Sequence, residues 1–321
     1  MTARSVLGRL RRFPLVAPPW PSSLPRPAPE RRVGLDYDHE WSRRYPVRLA
    51  RAVVVDNVTR PVARLLAPPT IRGVEHLRHV GAPAIFVANH TSHIDTPLLL
   101  SNLPVEFRHR TVVAAASDYF FDRTWKAALW SFLLPAIPIE RTRVNRRSAD
   151  MAAELIGQGW SLIIFPEGGR SPDGWGQTFR PGGAAYLALR TGRPVVPVHL
   201  RGARTVVPRR PRHDTPPGGS GTESAGGRRL VRAPVTLTFG APMVPDDGED
   251  ARRFGVRLER AVEVLADESV SDWWQARRRA GAGRTPSHRG PDASPWRRAW
   301  ELDRSASTVA SPSDAPSWPK R

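Results

Sequence analysis

Cysteine is absent from this chain of 321 residues. Without thiols the protein has no disulfide framework, no thiolate metal site, no iron-sulfur cluster and no cysteine nucleophile. The sequence also has no Gly-x-Ser-x-Gly segment, the turn that presents a serine nucleophile in many hydrolases. Chemistry through a covalent cysteine or serine intermediate therefore has little support, and the composition is compatible with an intracellular protein.

Lysine is almost absent as well. It occurs only at Lys126 and Lys320, so arginine supplies nearly all of the positive charge behind a formal net charge of +19. Such an excess favours an anionic partner: a phospholipid surface, a nucleic acid or a phosphorylated substrate. The alternative is that genome base composition accounts for the arginine and proline content, since much of the charge lies in segments that look disordered. Charge alone does not choose among these possibilities.

Long apolar runs are missing too. The longest strongly apolar run extends from Ala127 to Ile139, well short of the roughly 20 residues that span a bilayer. The segment from Met1 to Gly34 also lacks the apolar stretch that a secretory signal requires. We therefore expect a cytoplasmic protein that is peripheral on the inner face of the cell membrane, with residues 1–44 as a basic disordered arm.

The folded part is expected to be one α/β domain over residues 45–275. Short apolar runs bounded by Pro, Gly or polar residues predict strands, and they alternate with stretches of helical periodicity. This alternation is typical of a mainly parallel sheet flanked by helices. The predicted strands are 84–88, 111–116, 136–139, 161–165, 194–200 and 235–239, and the predicted helices are 45–66, 96–102, 118–134, 148–156, 183–191 and 249–268.

Composition predicts two further disordered segments. Residues 209–233 are rich in Pro, Gly, Ser and Arg and indicate a disordered insertion between two strands. Residues 276–321, rich in Arg, Ser and Pro and containing Trp, indicate a disordered tail.

His90 and Asp95 stand in the predicted loop after the first of these strands, where an open α/β sheet usually binds its ligands. A turn there can bring the Asp95 carboxylate to the imidazole, which would hold one tautomer and make His90 a general base. The spacing alone is weak evidence, and the alternative is a loop histidine bonded to a helix-capping aspartate. His93 has Leu98 five residues on, so we interpret it as a loop residue.

Two more polar segments follow predicted strands. Gly168 and Gly169 let the backbone approach a ligand, Arg170 offers a planar donor fork for phosphate, and Glu167 can accept from a hydroxyl or hold that arginine. The alternative is an ordinary turn with a surface ion pair. Arg141, after Glu140 at the end of another strand, could add a phosphate contact, although a solvated pair is the simpler interpretation.

In their order along the chain, four segments resemble the four sequence blocks of the glycerolipid acyltransferase family. They are Asn89 to Asp95, Ile139 to Arg141, Phe165 to Ser171 and Val195 to Val198. The resemblance covers about Ile71 to Leu200. It implies that His90 removes a proton from an acceptor hydroxyl, that Asp95 orients it, and that Arg141, Glu167, Gly168 and Arg170 bind a glycerol phosphate.

This resemblance also implies the substrates. The acyl donor would be acyl-CoA or acyl carrier protein with no further cofactor and no metal, and the acceptor a lysophospholipid, first of all 1-acylglycerol-3-phosphate. Another lipid or glycolipid acceptor stays open, as does a non-catalytic protein that binds anionic lipid or nucleic acid. Gly169, where the family usually has Thr, and the lead-in Pro138 depart from the pattern and weaken any inference about the acceptor.

Membrane contact is expected from three places, because acyl chains and lysolipids reside in bilayers. They are the helix at 46–66, the apolar stretch at 125–134, and the Trp residues of the Arg-rich tail. An ordinary core helix is an equally good interpretation of residues 125–134.

Overall fold

A computed structural model of the chain describes residues 37–116, 121, 123–139, 146–180, 182–207 and 231–307. Its central feature is a seven-stranded sheet in the order β1-β7-β6-β2-β5-β3-β4. All neighbouring strands are parallel except β6 and β7. The strands are β1 (Pro69–Arg72), β2 (Ile85–Ala88), β3 (Thr111–Ala116), β4 (Ala136–Ile139), β5 (Ser161–Ile164), β6 (Val195–Arg201) and β7 (Val235–Phe239). The predicted fold class, a mainly parallel sheet flanked by helices, is confirmed.

Helices cover both faces of this sheet. They are α1 (Tyr45–Val54), α2 (Arg60–Leu66), α3 (Asp95–Asn102), α4 (Val105–Arg108), α5 (Thr124–Leu133), α6 (Arg146–Gly157), α7 (Gly183–Thr191), α8 (Ala203–Val206), α9 (Ala251–Val270), α10 (Trp273–Gly281) and α11 (Pro295–Ser307), with short 3-10 helices at Glu40–Arg43 and Val74–His79. Two of these helices begin at an aspartate that accepts a backbone N–H: Asp250 from Arg253 at 2.8 Å and Asp272 from Gln275 at 2.8 Å. Such N-caps satisfy donors that the first helical turn leaves open.

Alternation along β2 distributes the core over the two faces. Phe86 and Ala88 pack into one apolar cluster with Leu98 and Leu99 of α3, whereas Ile85 and Val87 pack into the other with residues of α6, α7 and α9. Because successive side chains of a strand point to opposite faces, a strand that is buried on both sides must be apolar throughout. This is why the short continuous apolar runs of the sequence predict the strands well.

Pro61 interrupts the predicted helix at 45–66. The backbone passes from α1 through a π-helical turn at Val55–Thr59 into α2, with the proline in the first turn of α2. Proline has no N–H to donate, and its ring crowds the preceding turn, so the helix widens there.

The C-terminal region differs from the expectation. Residues 276–321 were expected to be disordered, but the structure has helices α10 and α11 and an ordered connection between them, up to Ser307. That expectation is therefore wrong for residues 276–307, because arginine and histidine side chains there find acceptors elsewhere in the fold. Residues 1–36, 208–230 and 308–321, which hold most of the expected arm, most of the insertion and the end of the tail, lie outside the described residues.

Candidate active site

The loop that follows β2 is attached to the neighbouring strand β6 through Asn89. The Asn89 side chain donates from Nδ2 to the carbonyl of Leu200 at 2.9 Å and accepts the Leu200 N–H on Oδ1 at 2.7 Å. It is 3% exposed, so these two hydrogen bonds are made away from water. Asn89 thus continues the β2–β6 pairing by one residue with its side chain, and it fixes where the loop begins.

One carboxylate oxygen of Asp95, the first residue of α3, makes three hydrogen bonds with the loop that follows β2. This oxygen, Oδ2, lies 3.0 Å from His90 Nδ1 and accepts the N–H groups of Thr91 and Ser92, each at 2.7 Å. The residue is fully buried. Three donors on one oxygen match an ionised carboxylate, and they place the imidazole proton on Nδ1. His90 Nε2 is then left with its lone pair, as a general base requires. The predicted pairing of His90 with Asp95 is present in this geometry.

The loop after β5 holds His90 from the other side. The His90 N–H donates to Glu167 Oε1 at 3.0 Å, and the His90 carbonyl accepts the N–H of Ser171 at 2.8 Å. The His90 ring stacks on Phe165, with ring centroids 4.3 Å apart and planes inclined by 23°. Because β2 and β5 are parallel neighbours, their carboxyl ends open at the same edge of the sheet and bring the first and third segments together.

Glu167 is an acidic residue in a buried position, only 3% exposed. Burial raises its pKa to about 7, against the effect of the His90 N–H, the nearby His288 and the backbone N–H of Gln177, which favour the ionised form. The Glu167 carboxylate therefore changes charge near neutral pH, next to the backbone of the candidate base.

Gly168 is required for the turn that follows. Its φ of +71° is favourable only for glycine, and a Cβ there would lie 2.5 Å from Nε of Arg180. Arg180 closes the same loop, since its N–H donates to the carbonyl of Pro166 at 2.9 Å. An exposed arginine therefore lies against the glycine turn, at a position to which the sequence assigns no role.

The remaining predicted site residues divide into two groups. Arg170 lies in the same loop as Glu167 and is half-buried. Arg141 and Glu140 lie outside the described residues, so the structure does not place the second segment. Within the part of the chain that is described, no group of three or more His, Asp or Glu residues is arranged to hold a metal ion.

Several residues of the site are visible only in three dimensions. Asn89, Phe165 and Ser171 are part of the quoted segments, yet nothing in the sequence separates their roles from those of their neighbours. Arg180 and His288 stand outside every segment. Their proximity to the site depends on contacts between residues far apart in the chain, for which a single sequence carries no signal.

Comparison with known proteins finds a family to which part of the chain is similar. Residues 68–201 match the family model described as Acyltransferase. A chloroplastic 1-acyl-sn-glycerol-3-phosphate acyltransferase of Brassica napus is 31% identical over 145 residues, which is 43% of this chain and 38% of that protein. A 1-acyl-sn-glycerol-3-phosphate acyltransferase of Cocos nucifera is 28% identical over 58% of this chain and 53% of its own length. The chain thus spans only about half, or less, of these curated relatives.

A solved structure supports the fold. The crystal structure of the 1-acyl-sn-glycerophosphate acyltransferase PlsC from Thermotoga maritima superimposes with a TM-score of 0.51 and 22% sequence identity, over 73% of this chain and 84% of that chain. The matched region 68–201 contains β1 to β6, both loops around His90 and the described segments that carry the resemblance. Through this region, residues 68–201, the chain is similar to the acyltransferase family.

Proposed function

We propose that the protein transfers a fatty acyl group from an acyl thioester to the hydroxyl of a lysophospholipid, most readily 1-acylglycerol-3-phosphate. The observation that carries the proposal is the His90–Asp95 pair, in which the Nδ1 proton is fixed by a buried carboxylate that accepts two further N–H donors. The named activity of the curated relatives supports the choice of acceptor.

The chemical step needs no covalent intermediate. His90 Nε2 takes the proton of the acceptor hydroxyl while its oxygen attacks the thioester carbonyl carbon. A new C–O bond forms, the C–S bond breaks, and the imidazolium returns the proton to the leaving thiolate. Asp95 stabilises the imidazolium that exists between these two proton transfers. The base therefore ends each turnover in the protonation state in which it began.

Recognition of the acceptor phosphate is assigned to arginine side chains. A guanidinium presents several N–H donors in one plane and binds phosphate oxygens in pairs. Arg170 and Arg141 are the predicted contacts, and Arg180, exposed beside Gly168, is a third candidate. Glu167 and Gly168 lie in the turn that precedes Arg170 and give that turn its shape. The donor in this proposal is acyl-CoA or acyl carrier protein.

The proposed partner surface is an anionic phospholipid bilayer. Along α1, the π turn and α2, six apolar side chains are exposed: Tyr45, Leu49, Val53, Val58, Val62 and Leu65. Apolar side chains spaced along one helical rod and left open to water mark a surface that docks on protein or membrane. Among the described residues, none of the helices combines the length and apolar character needed to cross a bilayer. Binding at the inner face of the cell membrane is therefore proposed as peripheral.

The test is acyl transfer by a His90→Ala variant. With the base removed, we expect turnover to fall by about 100-fold or more while the protein stays folded. His79→Ala changes an exposed histidine and is the matched control. Near-normal turnover of the His90 variant would contradict the assignment of the base.

The acceptor is tested separately, with wild-type protein, labelled acyl-CoA or acyl carrier protein, and a panel of lyso-acceptors. Preference for 1-acylglycerol-3-phosphate supports the proposal, and preference for another lysolipid changes the acceptor only. Absence of transfer to every acceptor would instead favour a protein that binds anionic lipid or nucleic acid without catalysis.

A further inference from the structure

We propose that the C-terminal strap, residues 282–302, clamps the candidate active site, with His288 and Arg298 as positioning residues for the loop that carries Glu167. The strap leaves helix α10 and ends within α11, outside the region that matches the family model. It contacts residues 172–178, here called the outer loop, which belong to the connection between β5 and α7. The proposal deepens the proposed function, because it concerns how the same site is held.

Arg298 joins the strap to the outer loop. Its Nε and Nη2 each lie 2.8 Å from Oδ2 of Asp173. Its backbone carbonyl accepts the indole N–H of Trp175 at 2.9 Å. Asp173 also accepts the backbone N–H of Trp175 on its other oxygen at 3.1 Å. One arginine therefore holds both ends of a short turn in the outer loop, by its side chain and by its main chain.

The same guanidinium also folds the strap itself. Nη1 donates to the carbonyl of Pro291 at 2.7 Å, and Nη2 donates to the carbonyl of Arg289 at 2.9 Å. Three nitrogens in one rigid plane thus connect the Asp173 carboxylate with two backbone carbonyls of the strap, which a flexible ammonium group could not reproduce. Loss of Arg298 would release the outer loop and the strap together.

His288 forms the second attachment. Its Nδ1 lies 3.3 Å from Oε1 of Glu263 on α9, and its Nε2 lies 3.1 Å from the carbonyl oxygen of Gln177. Both partners accept, so both ring nitrogens carry protons and the ring is an imidazolium. The His288 side chain is 3% exposed, and its ring approaches so closely that a Cβ on Gly176 would lie 1.7 Å from its Cδ2. The outer loop is thus fastened to α9 through the strap.

Gln177 links this attachment to the catalytic pair. Its carbonyl accepts from His288, and its backbone N–H is among the groups that lower the pKa of Glu167 against the larger effect of burial. Glu167 in turn accepts the N–H of His90. The strap therefore holds Gln177 of the connection between β5 and α7, and the same connection carries the buried carboxylate that accepts the N–H of His90.

The strap can be tested without substrate by hydrogen exchange. The N–H groups of His90 and Ser171 are the donors that tie the two site loops together. In Arg298→Ala we expect exchange in segments 89–95 and 166–180 to become about tenfold faster or more, the scale of one lost charge-assisted hydrogen bond. His288→Gln and the milder Asp173→Asn should act in the same direction.

Arg297→Ala is the matched control. Arg297 is the adjacent residue of α11, its side chain is 59% exposed, and it pairs with Glu301 on the same helix. Its exchange pattern should equal that of the wild type. Unchanged exchange at 89–95 in Arg298→Ala, or equal acceleration in Arg297→Ala, would overturn the clamp.

Kinetics separate positioning from general support of the fold. We expect Arg298→Ala to lower kcat about tenfold with KM for the thioester changed by less than about twofold, since the displaced group is the base rather than the donor site. A change confined to KM would overturn the positioning role. If wild-type protein transfers no acyl group while the exchange differences hold, the proposed function fails and the clamp stands.

Discussion

Glu167 is the residue of the site whose pKa is raised by its surroundings. Its buried carboxylate meets His90 through a hydrogen bond and lies within the fields of His288 and Asp95. Burial outweighs the groups that favour ionisation, and the pKa is raised to about 7. The free energy of the folded state therefore depends on pH in the neutral range through this residue.

The sign of this dependence follows from proton binding. In the unfolded chain the carboxyl ionises near 4.5, whereas in the folded protein it keeps its proton up to about 7. Between these two pH values the folded state binds more protons than the unfolded chain. The stabilisation of the folded state is therefore present at low pH and declines as the pH rises from 4.5 to about 7. A shift of this size corresponds to roughly 2–4 kcal/mol.

We expect Glu167→Gln to remove this contribution, because the amide cannot ionise but can still accept the N–H of His90. The free energy of unfolding of the variant, measured by urea at pH 5 and pH 8, should fall less between the two values than that of the wild type. Glu106→Gln, at an exposed residue, is the control and should follow the wild type. If the free energy of unfolding changed equally with pH in all three proteins, the raised pKa of Glu167 would be contradicted.

Strand β2 and the loop after it show how an element positions a base. The backbone pairing of β2 with β6 ends at Ala88, and Asn89 extends it with a side-chain amide that meets both the N–H and the C=O of Leu200. Every further contact of His90 depends on where this loop starts. The position of the candidate base therefore depends on Asn89, a residue that touches no substrate in the proposed mechanism.

We expect Asn89→Ala to destabilise the protein by about 2 kcal/mol or more, because two buried backbone groups lose their partners. Acyl transfer should fall as well, through displacement of His90. Asn57→Ala is the matched control, since Asn57 is exposed and makes a single hydrogen bond, to the carbonyl of Val53. Equal chemical denaturation midpoints for the two variants would show that the Leu200 contacts carry no stability.

The whole molecule combines a large positive net charge with exposed apolar side chains. The net charge of +19 attracts an anionic surface at long range, and the exposed face of α1 and α2 offers apolar side chains for insertion at short range. Exposed Trp273 and Trp274 on α10 and Trp296 and Trp300 on α11 add aromatic groups beside arginines. Such side chains suit the interfacial region of a bilayer.

We expect the protein to float with vesicles that contain phosphatidylglycerol and to bind less well as salt is raised, because screening weakens the long-range attraction. Val53→Glu should reduce this binding about tenfold, since it places a charge where an apolar group is proposed to insert. Val256→Glu, at a valine 58% exposed against 56% for Val53, is the control. Equal loss in both variants would contradict docking through α1 and α2.

The sequence by itself determined the fold class and the identity of the candidate base. Both depend on local information: apolar runs that mark buried strands, and an order of segments that resembles one family. His90 with Asp95 and the glycine turn at Gly168 were found in this way. The sequence does not predict the ordered structure of residues 276–307. The arginines and the histidine there are polar in composition, and their partners are defined only in the folded chain.

Only the tertiary structure decided how the site is held. Asn89 and Leu200 are 111 residues apart in the chain, His90 and Glu167 are 77 apart, and Arg298 and Asp173 are 125 apart. The raised pKa of Glu167 likewise follows from burial that many elements create together. Local residue pattern selects strands and motifs, whereas these contacts and this electrostatic environment exist only after the sheet brings distant loops to one edge.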